Sequence, residues 1–329
     1  MTRWVRVLPT LLLVLLIVPG WAGEKRLELP GAAPRLSVER VTGPVERRVG
    51  ALTFLGGVAL ASADPAFGGY SALAVAGDRF TLLSDGGVLL RFRMDGNWQV
   101  HGHRLDPLPA GPGTGWTKAE RDAEAMTTDP RDGRIWVAFE NANAIWRYAP
   151  GFARGERWRA PRAMARWPGG GGSESMTRLR DGRFLVIAEA RRPPRGADGR
   201  RAEARVGLIF ARDPTDPKTR IARFAYRPER GHDPVDVAEL PDGRLLVLER
   251  GFDLPFRWST RLALVERGAV RPGAVVGGRT VARLRVPLPR DNFEGLAVTR
   301  EGDATIVWLV SDDNQFRLQR TLLLKFRLG

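Results

Sequence analysis

The chain repeats one unit five times: a polar or acidic residue, an apolar strand, a tight turn, and a second apolar strand running into another polar or acidic residue. The clearest copy runs Ser173-Glu174-Ser175-Met176-Thr177-Arg178-Leu179-Arg180, then Asp181-Gly182, then Arg183-Phe184-Leu185-Val186-Ile187-Ala188-Glu189. Asp-Gly is a strong two-residue hairpin signal. The run after it is rich in β-branched and large apolar residues, as in a strand buried on both faces. Folding about Asp181-Gly182 places Glu174 opposite Glu189, and facing like charges are unfavourable. The open end of the hairpin must therefore be wet or neutralised by a cation.

The other copies turn at Gly77-Asp78, Asp132-Gly133, Asp242-Gly243 and the longer Glu301-Gly302-Asp303-Ala304. Read the same way, they oppose Ser71 to Ser84, Glu124 to Asn141, Asp236 to Glu249 and Glu294 to Ser311. The markers Ser71, Glu124, Glu174, Asp236 and Glu294 recur every 50 to 62 residues with no useful helical periodicity between them. Strand-only units of this period indicate an all-β fold, a β-propeller of four-stranded blades. Segments 144–148, 206–210, 261–265 and 321–326 supply outer strands, the last closing the ring against N-terminal residues. Five hairpins plus an N-terminal contribution point to six blades, with five as the alternative. Turn-rich loops at 111–115, 168–172 and 191–202 lie between blades and mark no domain boundary.

In a propeller the inner strands line a central channel, so equivalent residues form rings. The first-strand ring is Ser71, Glu124, Glu174, Asp236 and Glu294. The second-strand ring is Asp85, Glu140, Glu189, Glu249 and Asp312, with Asn141, Asp313 and Asn314 nearby. Oxygen-only donors suit a hard cation, Ca²⁺ above all. Glu124, Glu174, Glu189, Asp236, Glu249, Glu294 and Asp312 are the candidate metal ligands. Glu174 and Glu294 are also candidate general bases. Ser71, Arg250, Asn292 and Asn314 are placed to bind substrate. Structural hydrogen bonds or arginine pairing are the alternative use of these acids, and Arg250 is placed to neutralise them. The aspartates of the Asp-Gly turns are turn residues.

Other chemistry is sparse. The chain has no cysteine, which excludes disulfides, thiol nucleophiles and thiolate metal sites. Of its three histidines, His101 and His103, two apart on one strand face, read as a solvated strand pair, with metal chelation the alternative. His232, beside Asp233 near the predicted mouth, is the best acid–base candidate, with a capping role the alternative. Ser71 is no nucleophile elbow, because the glycine spacing fails and no helix follows. Gly169 to Gly172 precedes a strand, so it is no phosphate loop. Net charge is +15, and of 52 basic residues only four are lysines. Either an anionic partner or arginine-biased codon usage accounts for this. No aromatic-interleaved basic stripe or nucleic-acid motif appears.

Arg3 and Arg6, the apolar run Leu8 to Val18 and the small residues around Ala22-Gly23 have the pattern of a cleaved secretory leader over 1–23. The expected product is a single exported domain, 24–329, periplasmic or secreted, with no later membrane span.

Several segments resemble the phytase-like family, "esterase-like activity of phytase", of exported bacterial β-propellers. They are Asp64-Pro65-Ala66-Phe67-Gly68-Gly69-Tyr70-Ser71-Ala72-Leu73, Asp122-Ala123-Glu124-Ala125-Met126, Pro241 to Arg250, Asp291-Asn292-Phe293-Glu294-Gly295-Leu296, Ser311-Asp312-Asp313-Asn314 and Gln319 to Leu324. The resemblance spans roughly residues 50 to 328. It implies a propeller, export and Ca²⁺-assisted ester or phosphoester hydrolysis on a small anionic or ester substrate. It carries over no agreed catalytic residues. A lactonase-like metal hydrolase is a variant of this reading. The alternative is a non-catalytic propeller binding a ligand or protein in the cell envelope.

Overall fold

A computed structural model describes residues 26–31, 35–41, 47–194, 202–253, 257–316 and 318–329. The expected leader, residues 1–23, lies outside the described residues. The strands form five sheets. Blade 1 contains Tyr70–Ala76, Arg79–Ser84, Val88–Met94 and Val100–Pro107. Blade 2 contains Ala123–Thr128, Ile135–Phe139, Ala144–Tyr148 and Gly155–Arg159. Blade 3 contains Ser173–Arg178, Phe184–Ala188, Arg205–Phe210 and Ile221–Arg227, with Val275–Gly277 added in parallel at its edge. Blade 4 contains His232–Glu239, Leu245–Asp253, Arg257–Val265 and Arg279–Leu284. Blade 5 contains Asn292–Glu301, Ala304–Asp312 and Thr321–Leu328, completed by the N-terminal strand Leu52–Ser62, which also carries Leu36–Arg40 and Arg48–Val49.

The blade count is five, the smaller of the two numbers the sequence permits. The N-terminal segment builds no sixth blade. Leu52–Ser62 instead pairs antiparallel with Thr321–Leu328, from Leu52 opposite Leu328 to Leu60 opposite Thr321. This closes the ring between the two ends of the chain. The first strands contact one another in cyclic order, with blade 5 returning to blade 1.

Burial follows the same geometry. The second strands of blades 2 and 3, Ile-Trp-Val-Ala-Phe and Phe-Leu-Val-Ile-Ala, are buried throughout, because a neighbouring blade covers each face. Five apolar clusters fill the five blade junctions. The cluster between blades 5 and 1, for example, brings Val58, Leu323 and Trp308 against Tyr70, Leu73 and Leu90. No helix among the described residues is long and apolar enough to cross a membrane.

Blades 1 and 5 turn through two residues, Gly77-Asp78 and Gly302-Asp303, and the other three hairpins through more. In blades 3 and 4 the loop is one residue longer. Gly182 N–H bonds Leu179 O at 2.9 Å while Leu179 N–H bonds Arg183 O at 2.8 Å, and Gly243 and Leu240 repeat the pattern. Gly182 and Gly243 take φ of 91° and 85°, values a side chain disfavours. Each turn aspartate accepts the N–H two residues on: Asp132 from Arg134, Asp181 from Arg183, Asp242 from Arg244, all at 3.0 Å. Towards the other end, every first strand carries a one-residue β-bulge. The bulged residues are Ser71, Glu124, Glu174, Val235 and Glu294.

Candidate carboxylate mouth

The bulges define the rings. Four of the five markers read from the sequence are bulge residues. In blade 4 the equivalent position is Val235, not Asp236. The first ring is therefore Ser71, Glu124, Glu174, Val235 and Glu294. On the second strands the residue paired beside each bulge is Ser84, Phe139, Ala188, Glu249 and Ser311. The next residue forms the second ring: Asp85, Glu140, Glu189, Arg250 and Asp312. Blade 3 has the same extended turn and bulge and keeps Glu174 and Glu189; blade 4 exchanges Glu249 for Arg250 because its bulge falls at Val235, one residue before Asp236.

Two expected ligands leave the mouth for this reason. Glu249 is fully buried inside its blade. It accepts both its bonds to Arg261 Nη1 at 2.6 Å, a third from Tyr226 Oη at 2.5 Å, and one from Glu229 N–H. Asp236 accepts from Val237 N–H at 2.8 Å and from Leu296 N–H at 2.7 Å, stitching blade 4 to blade 5. Ser71, expected to bind substrate, donates instead to Ala123 O at 2.6 Å and so links blades 1 and 2. His101 is an exposed edge residue 3.6 Å from Asp95. His232 lies outside the cluster and meets Ser259.

Glu124, Glu140, Glu174, Glu189, Glu294 and Asp312 do converge, joined by Asp85 and Asp122. One ligand atom from each of Asp122, Glu124 and Glu140 lies within 4.8 Å of the others, and the same holds for Glu140, Glu174 and Glu189. Glu140 belongs to both groups. The described cations paired into the cluster are Lys118, 2.5 Å from Asp85, and Arg250. Arg250 Nη2 lies 2.6 Å from Glu189, and its Nη1 bonds Glu294 and, at 3.0 Å, Asn292 Oδ1. Asn292 donates to Glu294 at 2.9 Å and Asp312 at 3.4 Å, so all its polar capacity is turned onto the ring. Asn314 caps the rim, its N–H on Asp312 at 2.6 Å.

Two cations cannot compensate eight clustered carboxylates, and the acids respond by resisting ionisation. Burial, then the charges of Glu174 and Glu294, push Glu124 well above the ordinary range. Burial and Glu189 do the same to Glu174, against the opposing charge of Arg250. Burial and Glu294 raise Asp312. Burial raises Glu189 and Glu294 against Arg250, and Asp85 against Lys118. Burial, opposed by Lys118, pushes Asp122 up to about 7. Glu140 is the exception. Burial opposes its ionisation, but the N–H groups of Gly171 and Gly172 both bond Oε1 and hold it below the usual range. The Gly169–Gly172 loop thus cradles a carboxylate.

The donor set fits a hard divalent cation on a structural observation. Glu124 is 9 % exposed and lies among acids, burial and the charges of Glu174 and Glu294 opposing its ionisation. A buried carboxylate among like charges is costly, and an oxygen-coordinated cation would satisfy it. Lys118 and Asp122 were not singled out in the sequence. Their signal is a lysine four residues before an aspartate in an otherwise arginine-rich chain.

A family model described as "Phytase-like: Esterase-like activity of phytase" matches residues 65–315. No curated protein matches significantly. The matched stretch holds four complete blades and the first two strands of the fifth, with every ring residue. The chain therefore belongs to the phytase-like, esterase-like activity of phytase, family of β-propellers.

Proposed function

We propose that this protein is an exported, periplasmic or secreted hydrolase of phosphoesters or esters that uses a divalent cation, Ca²⁺, at its carboxylate mouth. The observation that carries this reading is the pair of carboxylate triads sharing Glu140. Asp122, Glu124, Glu140, Glu174 and Glu189 would hold the cation. Bound there, it supplies Lewis-acid polarisation of an ester oxygen and charge neutralisation.

The chain's own groups supply the rest. Arg250 carries the one guanidinium in the ring, fixed by Glu189, Glu294 and Asn292, and is positioned to orient an anionic group. Glu174 and Glu294 resist ionisation in the apo site and become available proton acceptors as the field of neighbouring acids is neutralised. The net charge of +15 favours approach of anionic substrates. The test is hydrolysis of a phosphoester and ester panel by the leaderless protein in Ca²⁺ and in chelator. Calcium-dependent turnover that Glu174→Gln abolishes supports the reading. Absence of turnover across the panel in Ca²⁺ contradicts it and leaves a binding propeller.

A further inference from the structure

A second pair of side chains, in blade 4, is arranged for hydrolysis without any group of the carboxylate cluster. His232 opens the first strand of this blade. Gly251 stands opposite it on the second strand, and Ser259 opposite Gly251 on the third. Residues in register on neighbouring strands share a face, so the imidazole and hydroxyl meet over the glycine. Ser259 Oγ lies 3.1 Å from His232 Nε2. A Cβ at position 251 would sit 2.6 Å from Ser259 Oγ and 3.1 Å from His232 Nε2, so the contact requires glycine there. Ser259 is the ring's sole hydrogen-bond partner among the described residues, and Nδ1 is buried without one.

An acid completes the arrangement. The Glu229 carboxylate is held by Arg283 and lies 3.2 Å from Arg261 Nε. Those arginines keep it ionised, and Glu229 adjoins His232, whose backbone N–H bonds Glu229 O at 3.0 Å.

A hydroxyl within hydrogen-bond reach of an imidazole, with an anion near that imidazole, is the requirement for an activated serine nucleophile. We propose that Ser259 and His232 form a nucleophile–base pair that cleaves small carboxylic esters. Ser259 Oγ attacks the acyl carbon as its proton passes to His232 Nε2. The adduct collapses, the ester C–O bond breaks, and the leaving alkoxide takes that proton and departs as the alcohol. Water then attacks the acyl-Ser259 carbon and gives a proton to Nε2. Collapse returns the proton to Ser259 and releases the carboxylic acid. Glu229 stabilises the imidazolium in both halves and does not itself transfer a proton.

The experiment treats the folded, leaderless protein with a fluorophosphonate and maps the adduct by mass spectrometry, alongside p-nitrophenyl butyrate hydrolysis in chelator. The expected result is a single adduct on Ser259, unaffected by chelator and absent from Ser259→Ala and His232→Ala. Butyrate hydrolysis in chelator falls about 100-fold or more in both variants, the scale of general-base catalysis. Gly251→Ala has the same effect, while Ser259→Ala unfolds at the wild-type temperature. An unmodified Ser259 in the folded protein, or wild-type butyrate turnover by Ser259→Ala, overturns the proposal. Calcium dependence of phosphoester turnover bears only on the carboxylate mouth, so the two readings fail separately.

Discussion

Arg250 Nη2 and Glu189 Oε1 lie 2.6 Å apart, joining the second ring position of blade 4 to that of blade 3. The ring carries its own cation at this point, 18 % exposed at the side chain. Breaking a largely buried pair by removing one partner leaves an uncompensated charge, at a cost of about 3 kcal/mol. Arg250→Gln should therefore destabilise the metal-free protein by about 3 kcal/mol at pH 8. The loss should shrink at pH 5, where the neighbouring acids take up protons instead. Urea unfolding at both pH values measures this.

The pH dependence of the metal-free protein follows from the ring acids. Asp85, Asp122, Glu124, Glu174, Glu189, Glu294 and Asp312 all have raised values in the fold, against Glu140 alone lowered. A raised carboxyl binds its proton more tightly folded than unfolded, so its contribution is full below the unfolded value near 4. That contribution is lost as pH rises through the folded value, about 7 for Asp122. Glu140 acts in the opposite sense but is outnumbered. Thermal unfolding in chelator should show a falling midpoint from pH 5 to pH 8, and Ca²⁺ should flatten or reverse that trend.

Glu249 separates the ring register seen in the structure from the one a simple hairpin gives. Its carboxylate compensates Arg261 inside blade 4, so Glu249→Gln should cost about 3–5 kcal/mol in urea unfolding. Calcium affinity of the folded fraction should be unchanged, because Glu249 holds no ring position. A selective loss of calcium binding with stability retained would restore Glu249 to the ring.

Ring closure rests on the pairing of the chain's ends. Phe326 is fully buried and meets Phe54 at a centroid distance of 5.4 Å. Phe326→Ala should lower stability by about 3–5 kcal/mol through lost burial and a cavity. Urea unfolding should keep one transition, since the strand closes the ring.

Much of this architecture was legible in the sequence, for local reasons. Gly77-Asp78 and the Asp-Gly turns, each beside a β-branched run, identify the hairpins and their period. Third strands such as Ala144–Tyr148 are apolar enough to read directly. Edge strands such as Gly155–Arg159, half-buried and arginine-rich, carry no comparable pattern. The parallel Val275–Gly277 addition is equally silent, because tertiary pairing alone makes it a strand. Register was the main casualty. An extra loop residue at Gly182 and Gly243 and a bulge in each first strand shift the pairing by one. Blades 2 and 3 still deliver Glu124, Glu140, Glu174 and Glu189 to the mouth, because their bulges fall on Glu124 and Glu174 themselves. Blade 4 does not, and Asp236 and Glu249 turn inward. The Glu140 cradle and the Ser259–His232 contact join residues distant in sequence, and only the folded sheet brings them together.

Calcium binding to the purified protein is the most direct measurement of the central claim. Native mass spectrometry and titration calorimetry should show Ca²⁺ bound to the wild-type protein, with a rise in unfolding temperature that scales with free Ca²⁺. Glu124→Gln combined with Glu174→Gln should abolish both while leaving a folded protein. A wild-type protein that binds no divalent cation at millimolar concentration, with an unchanged unfolding temperature, would contradict the account.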